Sequence, residues 1–215
     1  MITVTAFRWV PPFAQGVVRD LRVRWALEEA GLPYEVRLVG LEETASPGYR
    51  AEQPFGQVPL YEEDGLTLFE SGAIVLHVAE RSSVLMPSDP AVRARVTCWL
   101  FAALNSVEPA LQNLAALDLF HDGEDWARQH RPQAEAFARK RLSELATRLE
   151  GRDYLEDRFS AADLLMATVL RNVRHTDLVA ETPGLGAYLE RCIGRPAFER
   201  ALAGQMSAFS EATAA

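Results

Sequence analysis

The fold of this chain is decided by residues 56–74, which read Gly-Gln-Val-Pro-Leu-Tyr-Glu-Glu-Asp-Gly-Leu-Thr-Leu-Phe-Glu-Ser-Gly-Ala-Ile. Two short apolar runs, Val58–Tyr61 and Leu66–Phe69, flank an acidic stretch that ends in Asp64-Gly65. Asp-Gly between apolar runs is a strong signal for a β-hairpin. A helix with an apolar face is predicted directly after it, over Ser71–Arg81. The segment therefore predicts two antiparallel strands followed by a helix.

The residues before this segment alternate strand and helix signals. Ile2–Phe7 and Tyr34–Val39 alternate apolar with polar residues, which is typical of strands. Between them, Val17–Ala30 carries apolar residues at helical spacing, and Gly31 is placed to end the helix. Because a helical connection between two strands implies a parallel pair, the sequence predicts a small mixed sheet within about 80 residues.

The chain changes character at Met86–Pro90, a linker with two prolines. Strand signals disappear after it, and long helical patterns take their place. The predicted helices are Ala91–Leu119, Gln129–Glu150, Ser160–Val173 and Leu185–Cys192.

One of these helices begins with a recognisable capping signal. Ser160–Asp163 has the form of a capping box, in which a Ser hydroxyl and an Asp carboxylate satisfy the first amides of a helix. The small, polar stretch Ser207–Ala215 is predicted to fray. We therefore expect an α/β domain over residues 1–82, a linker over 83–90 and an all-helical domain over 91–215.

The composition is that of an ordinary globular protein. Of 215 residues, 48% are apolar and 24% are charged, which excludes a disordered chain. The formal net charge of −8 argues against a non-specific nucleic-acid binder, because it would repel phosphate. Cys98 and Cys192, far apart among apolar residues, are predicted to be buried structural thiols in a reducing compartment. With no visible signal peptide and apolar runs far short of the ~20 residues that span a bilayer, we expect a soluble, cytoplasmic protein without membrane or nucleic-acid partners.

Five segments, in order along nearly the whole chain, resemble motifs of the cytosolic glutathione transferase superfamily, and the chain looks like a bacterial-type member. The resemblance implies an N-terminal thioredoxin-like domain of mixed α/β structure, followed by an all-helical C-terminal domain. The segments are Arg24–Glu35, similar to the family's first helix running into its second strand; Gly56–Leu60, similar to its G-(K/Q)-V-P loop; Leu68–Ile74, similar to its (E/Q)-S-x-A-I helix start; Ser160–Asp163, similar to its buried capping box; and Arg195–Ala197, similar to its closing R-P-x motif.

Glu70 and Ser71 lie where a predicted strand passes into a helix. The unpaired amides and the positive dipole end of such a helix form a ready site for an anion. The resemblance implies that glutathione binds here, with the Ser71 hydroxyl and amide on its γ-glutamyl carboxylate and Glu70 facing its ammonium. From these two residues alone, an equally open alternative is that Ser71 only caps the helix and Glu70 is a favourable first-turn charge.

Val58-Pro59 is the second part of the implied glutathione site. The resemblance implies a cis peptide bond here, which proline makes accessible, with the adjacent backbone pairing in strand fashion with the cysteinyl unit of glutathione. Gln57 would then offer its amide to the glycyl end, and Gln53 either reaches the same side or is an ordinary loop residue. The alternative for Pro59 is an edge-strand proline.

The group that would activate the glutathione thiol is missing from its usual place. Relatives carry a Tyr, Ser or Cys in the loop or first turn after the first strand, whereas Arg8–Asp20 contains none of these and no Thr. The family's tyrosine position falls near Phe13, and its serine and cysteine positions fall near Val17–Arg19. Arg19 is the candidate catalytic residue, because its charge at the start of a helix can stabilise a thiolate, and Gln15 is a neutral donor candidate. The alternative for Arg19 is a solvated surface charge.

A second pocket, for a small hydrophobic substrate, is implied beside this loop. Trp9 and Phe13 are candidates for one wall of it, with the alternative that they are core residues. Asn105 is a further candidate by its location on the first long helix, although helix phase does not choose between it and its neighbours. None of the four histidines has the spacing of metal ligands, so no metal site is expected.

Three functions fit these features. The first is transfer of the glutathione thiol to small hydrophobic electrophiles, with glutathione as co-substrate, as in detoxification. The second is a non-catalytic glutathione-binding or regulatory protein, which the loop without hydroxyls or thiols favours. The third is glutathione-dependent reduction of disulfides, in which the bound tripeptide supplies the sulfur chemistry. The resemblance favours the first function and also implies a homodimer.

Overall fold

The structure is a computed structural model that describes the backbone of residues 1–213 and the side chains of residues 1–210. Strands and helices follow one another in two distinct stretches, with all strands in the first. The strands are β1 (Ile2–Phe7), β2 (Tyr34–Val39), β3 (Tyr61–Glu63) and β4 (Leu66–Leu68), and the α-helices are α1 (Asp20–Ala30), α2 (Leu41–Ala45), α3 (Pro47–Glu52), α4 (Ser71–Ala79), α5 (Pro90–Ala102), α6 (Glu108–Phe120), α7 (Asp125–Leu149), α8 (Ala161–Leu170), α9 (Leu178–Glu181), α10 (Leu185–Ile193) and α11 (Pro196–Thr213).

The four strands form one sheet in the order β2-β1-β3-β4. β1 pairs with β2 in parallel, with Ile2 opposite Tyr34 and Phe7 opposite Val39. On its other side β1 pairs with β3 in antiparallel fashion, and β4 lies antiparallel to β3. The predicted parallel pair and the predicted hairpin are therefore both confirmed. β1 can lie inside the sheet because its alternate residues Ile2, Val4 and Ala6 are apolar and buried, and Val4 has no exposed surface.

The hairpin turn between β3 and β4 is formed by Asp64 and Gly65, the two residues on which its prediction rested. Asp64 and Gly65 both have positive φ angles, 48° and 86°. This combination is typical of a type I′ turn, whose twist matches that of the strands on either side. The first strand of the hairpin is shorter than the apolar run suggested, because β3 begins at Tyr61 and Val58–Leu60 belong to a loop.

The chain divides into two compact units. The first comprises residues 1–86 together with the residues from Arg195 onward, and the second comprises Pro87–Gly194. The sequence predicted that all residues from 91 onward belong to one helical domain. This prediction is wrong for the last helix, α11, which belongs to the first unit. α11 packs on α1 of the first unit, where the Trp25 and Phe198 rings meet edge to face with their centroids 4.8 Å apart.

Arg195, the first residue of the R-P-x motif, fixes the start of α11 to α1. Its guanidinium donates to both carboxylate oxygens of Glu29, over 2.6 and 2.8 Å, and Trp25 donates to the same carboxylate over 3.0 Å. A bidentate hydrogen bond between a guanidinium and a carboxylate is strong and directional. The prediction of a frayed tail is wrong as far as α11 continues, through Thr213; Ala214-Ala215 lie outside the described residues.

The second unit, residues 87–194, contains helices and no strand, as predicted. Its first long helix runs from Pro90 to Phe120 but widens at Ala103–Val107 into a π turn. Pro109 follows two residues later and has no amide hydrogen to donate to the carbonyl four residues before it. Regular helical bonding is interrupted at this point because of that missing donor.

The predicted capping box at the start of α8 is confirmed. The Asp163 carboxylate accepts hydrogen bonds from the Ser160 amide at 3.0 Å and from the Leu155 amide at 2.9 Å. Tyr188 of α10 donates its hydroxyl to the same carboxylate over 3.0 Å. All four residues are buried, and burial raises the pKa of Asp163 to about 6. The box therefore joins α10 to the start of α8 in the interior of the second unit.

The two cysteines have different environments. Cys192 is buried, as predicted, but Cys98 is exposed, so the prediction that it is a buried thiol is wrong. The buried face of α5 is occupied by Val96 and Leu100, and Cys98 lies two residues from each, about 200° away around the helix. Across residues 1–213, no helix has the length and apolar character needed to cross a membrane.

Candidate functional site

The loop that carries Val58 and Pro59 leads into β3. The peptide bond between these two residues is cis, and both are buried. Leu60, directly after them, bonds to β1 through Thr5: its carbonyl accepts from the Thr5 amide at 2.9 Å, and its amide donates to the Thr5 hydroxyl at 2.6 Å. The loop is therefore fixed to the central strand just before β3 begins.

Tyr49 of α3 supports the same loop. Its hydroxyl donates to the Gln57 carbonyl over 2.7 Å and lies 3.3 Å from the Thr5 hydroxyl. Burial raises the pKa of the Tyr49 hydroxyl, so the phenol keeps its proton and remains a donor at neutral pH. Tyr49 thus fixes the backbone directly before Val58, while Gln57 itself is exposed.

Gly56 turns the chain into this loop with a φ angle of 63°. A Cβ atom at this position would lie 2.8 Å from the Thr44 carbonyl oxygen and 3.2 Å from Nη2 of Arg50. The position therefore requires glycine for both conformation and space. Gln53 is buried, and its side-chain oxygen accepts from the Phe55 amide at 2.7 Å, which supports the loop role considered for it.

Glu70 and Ser71 lie at the start of α4, where the chain leaves β4. Glu70 has a φ of 69° and a ψ of 108°, a conformation that is rare for a residue with a side chain. Backbone strain of this kind costs of order 1–3 kcal/mol and is concentrated at functional sites. Glu70 is exposed, whereas Ser71 is only 5% exposed. The turn therefore places an exposed carboxylate beside a buried hydroxyl at the positive end of a helix.

Arg22 is part of this site, although sequence analysis did not identify it. It lies on α1 with 3% exposure, and its Nη1 donates to the Ser71 hydroxyl over 3.3 Å. A buried guanidinium adds a full positive charge to the partial charge of the helix start. The sequence signal for it was the pattern of α1, where Asp20, Arg22 and Arg24 alternate with apolar residues and all lie in the buried stretch.

The loop between β1 and α1 carries the predicted catalytic and pocket residues. Arg19 is the residue directly before α1 and is partly exposed. Gln15 donates its side-chain amide to the Val10 carbonyl over 3.2 Å, so it stabilises the loop itself. Phe13 is partly buried, and Trp9 is 50% exposed. Trp9 is therefore not a core residue, which was the alternative considered for it.

The structure brings the segment directly before α4 against the loop that carries Val58, within the first unit. Phe69, directly before Glu70, packs against the buried cluster that includes Val58. Asn105 lies elsewhere, in the π turn of the second unit, and is exposed. In the part of the chain that the structure describes, no three His, Cys, Asp or Glu residues are grouped so as to hold a metal ion.

Comparison with known proteins identifies the family. Residues 14–80 match the family model described as "Glutathione S-transferase, N-terminal domain". Residues 125–196 match the family model described as "Glutathione S-transferase, C-terminal domain". The maleylacetoacetate isomerase of Rhizobium meliloti is 32% identical over 193 residues, which cover 84% of this chain and 89% of that protein. A probable maleylacetoacetate isomerase of Drosophila melanogaster is 29% identical over 160 residues; the match covers 71% of this chain but only 64% of that protein, less than two thirds of its length.

A solved structure shows the same architecture with ligand bound. A glutathione transferase from Burkholderia graminis, with two glutathione molecules bound per subunit, superposes with a TM-score of 0.81 at 28% identity. The superposition covers 94% of this chain and 87% of that one. The fold thus places this chain in the class of proteins with a thioredoxin-like domain and a helical domain.

The chain belongs to the glutathione S-transferase family. The predicted fold, a thioredoxin-like domain followed by a helical domain, is confirmed. At the level of the family, the prediction of a glutathione transferase or a related enzyme is also confirmed.

Proposed function

We propose that this protein binds glutathione at the start of α4 and transfers its thiol to small hydrophobic electrophiles. The observation that carries the proposal is the buried Ser71 hydroxyl, held by the Arg22 guanidinium beside the strained Glu70. A helix start with a buried cation suits a carboxylate, and an exposed carboxylate next to it suits an ammonium. The γ-glutamyl end of glutathione carries both groups.

In this proposal each part of glutathione meets one group of the first unit. Ser71 and the first amides of α4 bind the γ-glutamyl carboxylate, and Arg22 contributes positive charge. Glu70 binds the ammonium. The Val58 backbone, beside the cis-proline, pairs with the cysteinyl unit, and the exposed Gln57 binds the glycyl end.

The thiol then needs a group that favours its ionised form, because a thiol with a pKa of about 8.5 is only a few per cent ionised at neutral pH. No Ser, Thr, Tyr or Cys occurs in Arg8–Asp20. The stabilisation is therefore assigned to the Arg19 charge and to the amides that open α1. The thiolate sulfur bonds to the electrophilic carbon, held against Trp9 and Phe13, and the leaving group departs with its electron pair.

Titration of the purified protein with glutathione, followed by calorimetry and by the ultraviolet absorbance of the thiolate, tests this proposal. We expect micromolar binding, a bound thiol with a pKa below that of free glutathione, and turnover of an activated aryl halide. Arg19→Ala should raise the pKa of the bound thiol. Arg8→Ala is the control, because Arg8 is an exposed arginine of the same loop that donates to the Leu38 carbonyl.

Two outcomes of this experiment would contradict transferase activity. Absence of glutathione binding would refute the proposal as a whole. Binding without turnover of any electrophile would assign the non-catalytic role instead. Asn105 stays a candidate substrate contact from the sequence, and Asn105→Ala in the same assay should then raise the KM for the electrophile and leave the affinity for glutathione unchanged.

The relatives narrow the class of electrophile to be tried. The two relatives described above are named a maleylacetoacetate isomerase and a probable one, so a substrate whose double bond is conjugated to carbonyl groups belongs in the panel. A thiolate can add to such a double bond, the resulting single bond rotates, and loss of the thiolate leaves the isomer with glutathione unchanged. Isomerisation of maleylacetoacetate faster than conjugation of an aryl halide would assign this substrate class.

A second candidate function is glutathione-dependent reduction of disulfides. The Burkholderia graminis structure, with two glutathione molecules per subunit, favours it because the reaction consumes two. The first thiolate attacks the disulfide and releases one substrate thiolate; the second attacks the mixed disulfide, releases the other and forms glutathione disulfide. Two glutathiones oxidised per disulfide reduced, at a rate above aryl halide conjugation, would favour this function over the first.

We also propose that the protein is a homodimer, as the family resemblance implies. In the first unit, Leu41, Phe55 and Leu66 are 75%, 62% and 42% exposed, and large exposed apolar side chains are often covered by a partner. Light scattering should give a mass near twice 23.9 kDa. A mass that stays at the value for one chain would refute the dimer.

A further inference from the structure

A buried polar cluster joins the last helix to the start of α1. Asp20 and Arg24 of α1 form an ion pair between Oδ2 and Nε at 2.7 Å. Gln205 of α11 donates its side-chain amide to Oδ1 of the same carboxylate at 2.6 Å, and also to the Val18 carbonyl at 3.2 Å. Asp20, Arg24 and Gln205 are 1%, 3% and 1% exposed, so the cluster is closed to water.

The cluster and the proposed glutathione site lie on opposite faces of the same part of α1. Residues four apart on a helix share a face, whereas residues two apart point about 200° away from each other. Asp20 and Arg24 face α11, and Arg22 therefore points to the other side, where it reaches Ser71. The first turns of α1 are held between α11 and the start of α4.

Stability alone explains this cluster poorly. Arg24 Nη2 and Gln205 Oε1 are buried with no hydrogen-bond partner among the described residues. Burial raises the pKa of Asp20 in spite of its ion pair. Polar groups removed from water cost free energy that such pairs often fail to recover, and apolar replacements can be as stable. Hydrogen bonds do, however, fix positions more narrowly than apolar packing does.

We propose that Gln205 is a positioning residue for the glutathione thiol site: it holds the Val18 carbonyl and the Asp20 side chain, and so sets the position of the backbone from Val18 to Arg22. The inference rests on the proposed function, in which Arg19 and the amides that open α1 stabilise the thiolate. Stabilisation of this kind depends on preset geometry, so a small displacement of the turn weakens it. Binding of the γ-glutamyl end, centred on α4, depends on that turn less.

Gln205→Met tests the inference, because methionine nearly keeps the size of glutamine and loses both donated hydrogen bonds. Arg200→Ala is the matched control, since Arg200 also lies on α11 and also contacts α1, through a 2.7 Å ion pair with the partly buried Glu28. We expect Gln205→Met to lower kcat about tenfold and to raise the pKa of the bound thiol by about one unit. KM for glutathione should change less than about twofold, and Arg200→Ala should leave all three values unchanged.

Hydrogen exchange in the ligand-free protein is a second readout that needs no activity. The amides of residues 18–22 should exchange about tenfold faster in Gln205→Met than in Arg200→Ala, because the turn opens more readily without its anchor. If Gln205→Met does not fold, Gln205→Asn replaces it with the same expectations, since its amide is one methylene too short to reach both acceptors.

The outcomes separate this inference from the proposed function. Unchanged kcat, thiol pKa and exchange in a folded Gln205 variant would overturn the inference while leaving the function intact. A wild-type protein that does not bind glutathione would refute the function instead. In that case the hydrogen-exchange rates alone decide whether Gln205 holds the first turn of α1. Equal rates in Gln205→Met and Arg200→Ala would overturn the inference.

Discussion

The guanidinium of Arg22 changes what the start of α4 can bind. A helix start alone carries about half an elementary charge. Arg22 adds a full charge whose nitrogen lies 3.3 Å from the Ser71 hydroxyl, and at 3% exposure it is little screened by salt. Affinity for a carboxylate at this position should therefore depend on Arg22 as well as on the hydroxyl.

Arg22→Met should weaken glutathione binding about tenfold to a hundredfold, because a charged partner near the carboxylate is lost. Arg37→Met is the control, since Arg37 is 41% exposed and pairs on the sheet surface with Glu62 at 3.3 Å. Calorimetric titration of both variants measures the change in Kd. Equal affinities in the two variants would contradict the assignment of Arg22 to the site.

Gly56→Ala should lower the free energy of unfolding by about 1–3 kcal/mol and weaken glutathione binding, because the new Cβ meets the Thr44 carbonyl oxygen at a φ of 63°. Gly48→Ala is the matched control, as a Cβ there has no neighbour within 4 Å and the residue lies in α3. Urea unfolding of both variants gives the comparison. A Gly56 variant as stable as the Gly48 variant would show that the loop shifts without cost.

Sequence motifs could identify some residues of the proposed glutathione site, but they could not identify others. Glu70 and Ser71 stand in a short motif whose meaning is local, so they could be proposed from the sequence. Arg22 and Gln205 act through partners 49 and 185 positions away. No spacing along the chain indicates such a contact, and only the packing of α1 against α4 and α11 reveals it.

At the scale of the helices and strands, the start of α8 contains a buried titrating group, the carboxylate of Asp163. Burial raises the pKa of Asp163 from its ordinary value of 3.8 to about 6. The native protein therefore holds this proton more tightly than the unfolded chain does. The stability that this proton contributes is fully present below about pH 4 and is lost as the pH rises through 6.

Asp163→Asn removes this titration, so the difference in unfolding free energy between the wild-type protein and the variant should depend on pH. We expect the wild-type advantage to shrink by up to about 3 kcal/mol between pH 4 and pH 7, on the scale of 1.4 kcal/mol per pKa unit. Urea unfolding at several pH values measures it. A difference that is constant, or that grows with pH, would contradict the raised pKa.

The strands and helices differ in how far the sequence could predict them. Ile2–Phe7 and Tyr34–Val39 have the predicted bounds because alternation of apolar and polar residues is a local property of a strand. The helices α2 and α3 were missed because five and six residues are too few to show a helical period. α11 was missed although Ala197, Phe198 and Ala201 have helical spacing, because small and polar residues in its second half suggested fraying.

In the molecule as a whole, the first unit is built from both ends of the chain. Its core includes Trp25, which has no exposed surface and meets Phe198 of α11. Burial of one large aromatic side chain contributes about 1.5–3 kcal/mol, a sizeable part of the stability of a small unit. The second unit begins at Pro87, within the linker predicted over residues 83–90, whereas the return of the last helix to the first unit could not be seen in the sequence.

A chain that ends at Gly194 should lose protection from hydrogen exchange across residues 1–86, because the α1 face that carries Trp25 would be open to water. Residues 87–194 should keep their protection. Exchange measured by mass spectrometry resolves the two regions, and a chain that ends at Ser210 is the control. Full protection of residues 1–86 in the shorter chain would contradict the role given to α11.

The position of α11 also sets an order of events during synthesis. The ribosome makes residues 1–86 first, yet the helix that completes their unit is made only after all of residues 87–194. Residues 87–194 are contiguous, so their contacts can form while the nascent chain is still growing. The unit whose synthesis begins first is therefore the second to be completed, and it must wait, with one face of α1 uncovered, until the whole of the other unit has been made.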